Sequence, residues 1–253
     1  MSGEVSEVLR DPSGLSGGAY FGMPAPAPSD RFSGRRALVT MADRYTGPAV
    51  VELLAAEGAE VVADTGRYVG AEEPDRVVEA AGRVDILVVN LIADLVPTAA
   101  VETTDDQWMA MFDAMVHPLM RFVRAVLPQM IERRSGKIIV VTSAAALRAM
   151  PKLGAYSTAR GAQNAFVRAV GAEVAHHNVQ LNAIAQAYVE SVDAFQRHTW
   201  ESDAMQRQLR RVPVGRIAHS WEQAELVAFL ASSSSDFIAG QVIPFAGGWV
   251  TTS

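Results

Sequence analysis

Three residues combine types and spacings that could move a proton. Tyr156 and Arg160 lie four apart in a stretch that reads as helical, so they share one face about a turn apart. A guanidinium beside a phenol favours the phenolate and draws its pKa down from a reference of about 10. Tyr156 is therefore a candidate general base or acid. Ser143, separated from Tyr156 by twelve residues, can reach the same crevice through a loop and hydrogen-bond a substrate oxygen. Spacing alone does not decide the matter, because a Tyr and an Arg at i,i+4 are more often a surface or packing pair. What favours chemistry is the position of the three in the architecture that must hold them.

That architecture is read from hydrophobic patterning. From Arg35 onward, short apolar runs alternate with longer amphipathic ones. Strands are expected at 37–40, 60–63, 85–90, 137–143, 179–185 and 241–245. Helices are expected at 49–57, 105–133, 156–176 and 221–231. Gly58 is placed to stop the first helix. The run Asp85-Ile-Leu-Val-Val-Asn90 suits a strand buried on both faces. Alternation of this kind predicts one α/β domain, a doubly wound parallel sheet flanked by helices. Ligands then sit beyond the carboxyl ends of the strands, where Thr40, Asn90, Ser143 and the segment 185–188 fall. Residues 1–34, rich in Gly, Pro and Ser without apolar period, read as a flexible N-terminal extension to a catalytic domain at 35–253.

Composition removes several function classes. A formal charge of −6 argues against a nucleic-acid or anionic-membrane surface as the main partner. The absence of cysteine removes thiolate nucleophiles, disulfides, iron–sulfur clusters and Cys-ligated zinc, and fits a reducing cytoplasm. The five histidines form no HExxH pattern, so no metal site is expected. No stretch reaches the length of a membrane span, and no basic-then-apolar leader opens the chain, so a cytoplasmic location is expected.

Ser143, twelve residues, Tyr156, three residues, Arg160 resembles the Ser-Tyr-Lys triad of short-chain dehydrogenases/reductases, with Arg for Lys. The stretch from Arg211-Val-Pro-Val-Gly-Arg216 to Gly247-Gly248 is similar to the last third of that superfamily. The resemblance spans Arg35 to Trp249 and implies a Rossmann-type fold. The departures all concern cofactor handling. Met41 and Tyr45 stand at two glycine positions of the phosphate loop, where only Gly47 is kept. The stretch from Asp64 to Asn90 is too short for the βα unit that walls the adenine pocket. Met115 stands where the reductases carry a relay Asn, and Arg160 replaces the ribose-binding Lys.

This combination resembles the halohydrin dehalogenases, whose second pattern is matched by Thr40, four residues, Tyr45, Thr46 and Gly47. The resemblance implies a reaction without cofactor. Tyr156, held as phenolate by Arg160, takes the proton of a vicinal halohydrin hydroxyl, and Ser143 fixes that oxygen. The alkoxide then displaces halide to give an epoxide. The reverse opening would accept azide, cyanide, nitrite or halide. A halide and substrate pocket is expected from Tyr45, Gln186, Ala187, Tyr188 and Val189, with Met115 and Phe195 as further lining. The resemblance also implies a homo-oligomer, tetramer or dimer, built on the two long helices. Competing readings are an NAD(P)-dependent alcohol dehydrogenase with a divergent loop and a non-catalytic Rossmann-like binding protein.

Plainer roles stand beside these. Asp64 reads as a leftover or surface acid, and Asn90 as a residue that satisfies backbone groups. Tyr188 is either a packed loop aromatic or a pocket wall. Phe195 and Trp200 are packed aromatics or a lid. His176 and His177 read as capping a helix end. Met109, Met111, Met115 and Met120 read as core or subunit interface, and the resemblance implies that Trp249 reaches a neighbouring subunit's pocket.

Overall fold

The structure, a computed structural model, describes residues 29–191 and 202–251. Six strands form one all-parallel sheet in the order β2-β1-β3-β4-β5-β6. They are β1 (Arg36–Val39), β2 (Glu60–Ala63), β3 (Ile86–Asn90), β4 (Gly136–Ser143), β5 (Val179–Gln186) and β6 (Val242–Phe245). Helices α1 (Gly47–Ala56), α2 (Glu73–Ala81), α3 (Asp105–Arg133), α4 (Gly154–Val174), α5 (Asp203–Leu209) and α6 (Ser220–Ala231) connect them. This is the doubly wound, Rossmann-like sheet that the alternation predicts. Among the described residues no helix is long and apolar enough to cross a membrane.

The central strands β3, β4 and β5 are buried along their whole length, as befits strands covered on both faces. Alternate residues of β1 feed two cores. Leu38 joins Met115, Phe122 and Val167 on the side of α3 and α4, whereas Ala37 and Val39 join Leu53, Leu54 and Val227 on the side of α1 and α6. Period-two alternation of side chains is what lets one strand serve both layers.

The long helix α3 has the bounds the sequence predicts. Thr104 caps it through a capping box with Gln107, Asp105 and Asp106 occupy the first turn, and Arg134 ends it in the left-handed region at φ 51°. Two helices escape the sequence reading. The nine-residue α2 starts on Glu73-Pro74-Asp75, with proline in its first turn, and Ser202 caps α5. The single short α2 links β2, an edge strand, to β3, so the shortened adenine-side unit is present as expected. The boundary of the N-terminal extension moves. Phe32 is 1% exposed and packs into the α1–α6 core, and its N–H donates to the Glu57 carbonyl at 2.8 Å. Packing thus reaches back to Ser29, and residues 1–28 lie outside the described ones.

Candidate functional site

Chain order reverses between β1 and β3, and the site lies beyond the carboxyl ends of the strands around that point. Ser143 is the last residue of β4. Tyr156 sits in the first turn of α4, and Arg160 one turn further on. The Arg160 side chain is 4% exposed. Its Nη1 donates to the Val141 carbonyl at 3.1 Å and to Gln163 Oε1 at 2.9 Å, and its Nη2 to the Leu91 carbonyl at 3.0 Å. The guanidinium carbon lies 5.3 Å from the centroid of the Tyr156 ring. A planar fork fixed at three acceptors keeps the charge where a flexible ammonium would wander.

Burial alone would push the Tyr156 phenol up. The Arg160 charge, with hydrogen bonds from Ser143 and Arg160, outweighs it and holds the pKa below the ordinary tyrosine value. Ser143 Oγ accepts from the Ala145 N–H at 3.2 Å, which leaves its one hydrogen to be donated either to the phenol oxygen or to a substrate oxygen beside it. Tyr156, Ser143 and Arg160 are therefore brought together, as the spacing suggests.

These groups line a cavity of about 320 Å³. Tyr45, Gln186, Ala187 and Tyr188 line it as the sequence suggests, joined by Arg44, Met150, Trp249 and the loop Ile92–Leu95. Arg44, Met150 and the 92–95 loop went unread in the sequence. The 92–95 loop follows the carboxyl end of β3, so the rule that placed Asn90 could have found it. Trp249 lines its own subunit's cavity, where the expectation was a neighbour's. The Arg148 guanidinium lies 4.7 Å from its ring centroid and donates to its carbonyl at 2.6 Å, and the Tyr188 ring meets it edge-on at 5.5 Å. Tyr188 differs from Tyr156 in its titration. Burial raises its pKa more than nearby Arg211 and Arg148 lower it, so it stays a neutral O–H.

Two expected lining residues are not in the wall. Met115 has no exposure, because its place on α3 turns it into the core between that helix and the sheet. Its carbonyl accepts from Gln163 Nε2 at 2.7 Å, which links α3 to the residue that holds Arg160. Val189 is also fully buried, bridged to Ala218 just past the positive φ of Tyr188. Phe195 and Trp200 lie outside the described residues. Asn90 takes its structural role: its Nδ2 donates to the carbonyls of Met41 and Arg44 and closes the loop after β1.

Residues 71–250 match the family model described as enoyl-(acyl carrier protein) reductase. The chain belongs to the short-chain dehydrogenase/reductase superfamily. It is 29% identical over 241 residues to dehydrogenase/reductase SDR family member 4 of Bos taurus, covering 84% of this chain and 86% of the relative. It is 27% identical to the 3-oxoacyl-[acyl-carrier-protein] reductase FabG of Thermotoga maritima, over 87% and 99% of the two chains. Among solved structures, it superposes with a TM-score of 0.81 on a dehalogenation enzyme at 27% identity, over 87% and 100% of the chains. It matches a halohydrin dehalogenase, HheC, bound to ethyl (2S)-oxiran-2-ylacetate, with a TM-score of 0.78 at 28% identity, over 86% and 98%.

A short-chain reductase implies a nicotinamide dinucleotide, and the residues at its position do not fit one. Met41 and Tyr45 keep the left-handed backbone of glycines, at φ 44° and 54°, but put side chains there. Gly47 remains because a Cβ would lie 2.7 Å from the Ala42 carbonyl oxygen, a packing reason independent of any phosphate. Pro48 removes an N–H from the first turn of α1, where a pyrophosphate would seek donors. Asp64 is half-buried and paired within the chain rather than a free surface acid. Its carboxylate accepts from the Tyr68 hydroxyl and from the Gly66 N–H, while the Tyr68 oxygen accepts from the Met41 N–H at 3.1 Å. Tyr68, 2% exposed and edge-on to Phe122 at 4.8 Å, thereby ties up the acid that would hold an adenosine ribose. The sequence reading passed over Tyr68; a tyrosine four residues after the ribose acid was the available signal.

Proposed function

We propose that this enzyme is a cofactor-independent halohydrin dehalogenase that converts vicinal halohydrins to epoxides. One observation carries the reading. The acidified phenol of Tyr156, with Ser143 and Arg160, opens into a cavity, while the loop after β1 carries Met41 and Tyr45 in place of phosphate-loop glycines and Tyr68 engages Asp64. A proton acceptor is kept, and the features that would hold a dinucleotide's phosphates and ribose are not.

The step balances without a redox partner. Tyr156 phenolate takes the hydroxyl proton, and Ser143 donates a hydrogen bond to the alkoxide as it forms. The alkoxide oxygen bonds to the neighbouring carbon as the carbon–halogen bond breaks, and halide leaves with the electron pair. The proton passes from Tyr156 to solvent. Tyr45, Gln186, Ala187 and Tyr188 would receive the halide, with the neutral Tyr188 hydroxyl as a donor. Run backwards, the same geometry opens an epoxide with azide, cyanide, nitrite or halide.

The experiment is chloride release from 1,3-dichloro-2-propanol by the purified chain with no nucleotide added. A second reading, an NAD(P)-dependent reductase, is favoured by the curated relatives' activities. Oxidation of NAD(P)H with a ketone, in place of halide release, would select it. Assembly into a dimer or tetramer through α3 and α4 completes the reading, supported by the exposed Trp108 and Met109 on α3. Cytoplasmic residence is supported by the cysteine-free composition.

A further inference from the structure

The chain enters the reaction cavity after β5 in a strained conformation. Tyr188 lines the cavity with φ at 50°, in the left-handed region that penalises a residue with a side chain. Such a conformation persists where the surroundings impose it. Backbone bonds do part of this. The Ala187 N–H donates to the Phe245 carbonyl at 3.0 Å, the Ala218 N–H to the Tyr188 carbonyl at 3.0 Å, and the Glu190 N–H to the Ala218 carbonyl at 2.9 Å.

Two residues beyond Tyr188 stands an acid that the reaction does not use. The Glu190 side chain is fully buried, and a buried carboxylate is costly unless partners hold it. Its partners come from the start of α6. His219 Nδ1–H donates to Glu190 Oε2 at 3.0 Å, and the Ser220 N–H supports the same carboxylate. Burial pushes the Glu190 carboxyl up, and these two groups draw it part of the way back. His219 is fixed in turn. Its backbone N–H donates to Glu222 Oε2 at 2.8 Å, and Arg216 grips the two Glu222 oxygens at 2.6 and 2.7 Å. Glu222 belongs to the first turn of α6, so the far end of this linkage is a helix packed on the sheet. Glu190, His219, Glu222 and Arg216 all stand outside the lining of the reaction cavity. Their bearing on its chemistry runs through Tyr188.

We infer that Glu190 is a positioning residue: through His219 it ties the chain after β5 to the first turn of α6 and holds the Tyr188 hydroxyl where the leaving halide is received. That the ligand is a halide rests on the dehalogenase reading; that Glu190 holds Tyr188 does not.

The test uses the full chain labelled with 3-fluorotyrosine, its Tyr188 fluorine resonance assigned by Tyr188→Phe, with calorimetric titration of sodium bromide and chloride release alongside. In Glu190→Ala the Tyr188 resonance should move towards that of exposed fluorotyrosine. Bromide should bind about tenfold more weakly, the factor that goes with one lost hydrogen bond. The pH limb set by Tyr156 should keep its place. His219→Ala should behave in the same way. His219→Asn offers an Nδ2–H in place of the Nδ1–H, and should restore both the resonance and the affinity. A Tyr188 resonance unmoved in both alanine variants overturns the proposal, and so does bromide affinity unchanged from a wild type that binds it. So does a His219→Asn that behaves as His219→Ala, which would reduce the pair to general stability. Should Glu190→Ala not fold, the half-buried His219 carries the same comparison. If the wild type binds no bromide and releases no chloride, the dehalogenase reading falls, and the fluorine resonance still decides the role of Glu190.

Discussion

The Arg160 guanidinium faces the Tyr156 ring at 5.3 Å while bound to the carbonyls of Leu91, just past the end of β3, and Val141, near the end of β4. The charge that acidifies the phenol is thus anchored to the sheet, although both residues ride on one helix. Helical spacing brings the two within a turn of each other. The strand carbonyls decide on which side of the ring the charge stays.

Removing only the phenol oxygen tests the base. Tyr156→Phe keeps the ring and its packing, and halide release should fall by about 10²–10⁴-fold. The unfolding midpoint should move by no more than about 2–4 °C, the shift that goes with 1 kcal/mol in a domain of this size. Ion-selective measurement of chloride and a thermal melt check both. Activity close to wild type would sink the assignment of Tyr156.

The direction of the pKa shift sets the pH profiles. Halide release needs the phenolate, so kcat/KM rises with pH and levels above a pKa lying below the ordinary tyrosine value. Epoxide opening by azide needs the protonated phenol, so it falls with pH through the same value. In Arg160→Lys the ammonium cannot span three acceptors and acidifies the phenol less. Both limbs should move to higher pH, and stability should drop by about 1–3 kcal/mol for a buried carbonyl left unpaired. Limbs that stay in place would remove Arg160 as the cause.

Tyr68 and Asp64 make the missing dinucleotide measurable. Titration with NADH, followed through tryptophan fluorescence, is expected to give no saturable signal. Tyr68→Phe frees the Asp64 carboxylate and should lose about 1–3 kcal/mol in denaturant unfolding. It should still not bind NADH, since Met41 and Tyr45 remain. Micromolar binding by the wild type would instead support the reductase reading.

The sheet was legible in the sequence because its strands are short apolar runs with sharp ends, and Asp105–Arg133 because it carries its own capping box. The triad was legible because helical spacing and strand ends are both local properties. Tyr68 and Met115 were not. Tyr68 meets Asp64 through a turn at φ 55°, a conformation that nothing in Thr-Gly-Arg-Tyr dictates. Met115 faces the core rather than the cavity by a rotation of one helix, which spacing along the chain does not set. The resemblance placed Trp249 at a neighbour; its place in its own cavity was not legible, because its grip by Arg148 spans about a hundred residues. Contacts of that separation leave no trace in pattern or period.

Met41 and Tyr45 both hold left-handed backbone, a conformation that costs a residue with a side chain about 1–2 kcal/mol. Glycine at either position relieves that strain and differs in what else it removes. Met41 is 4% exposed and belongs to the core. Met41→Gly should therefore lose about 2–5 kcal/mol of packing, more than the relief returns. Tyr45 is half-buried and lines the reaction cavity. In Tyr45→Gly the relief offsets the roughly 0.5–1 kcal/mol of extra chain entropy, so the midpoint of denaturation should barely move. The loss should appear in turnover and in halide inhibition, each weakened by about tenfold, about 1.4 kcal/mol of lost contact. If Tyr45→Gly unfolds the protein as readily as Met41→Gly, its ring is a packing element, and the leaving halide must be held elsewhere in the cavity.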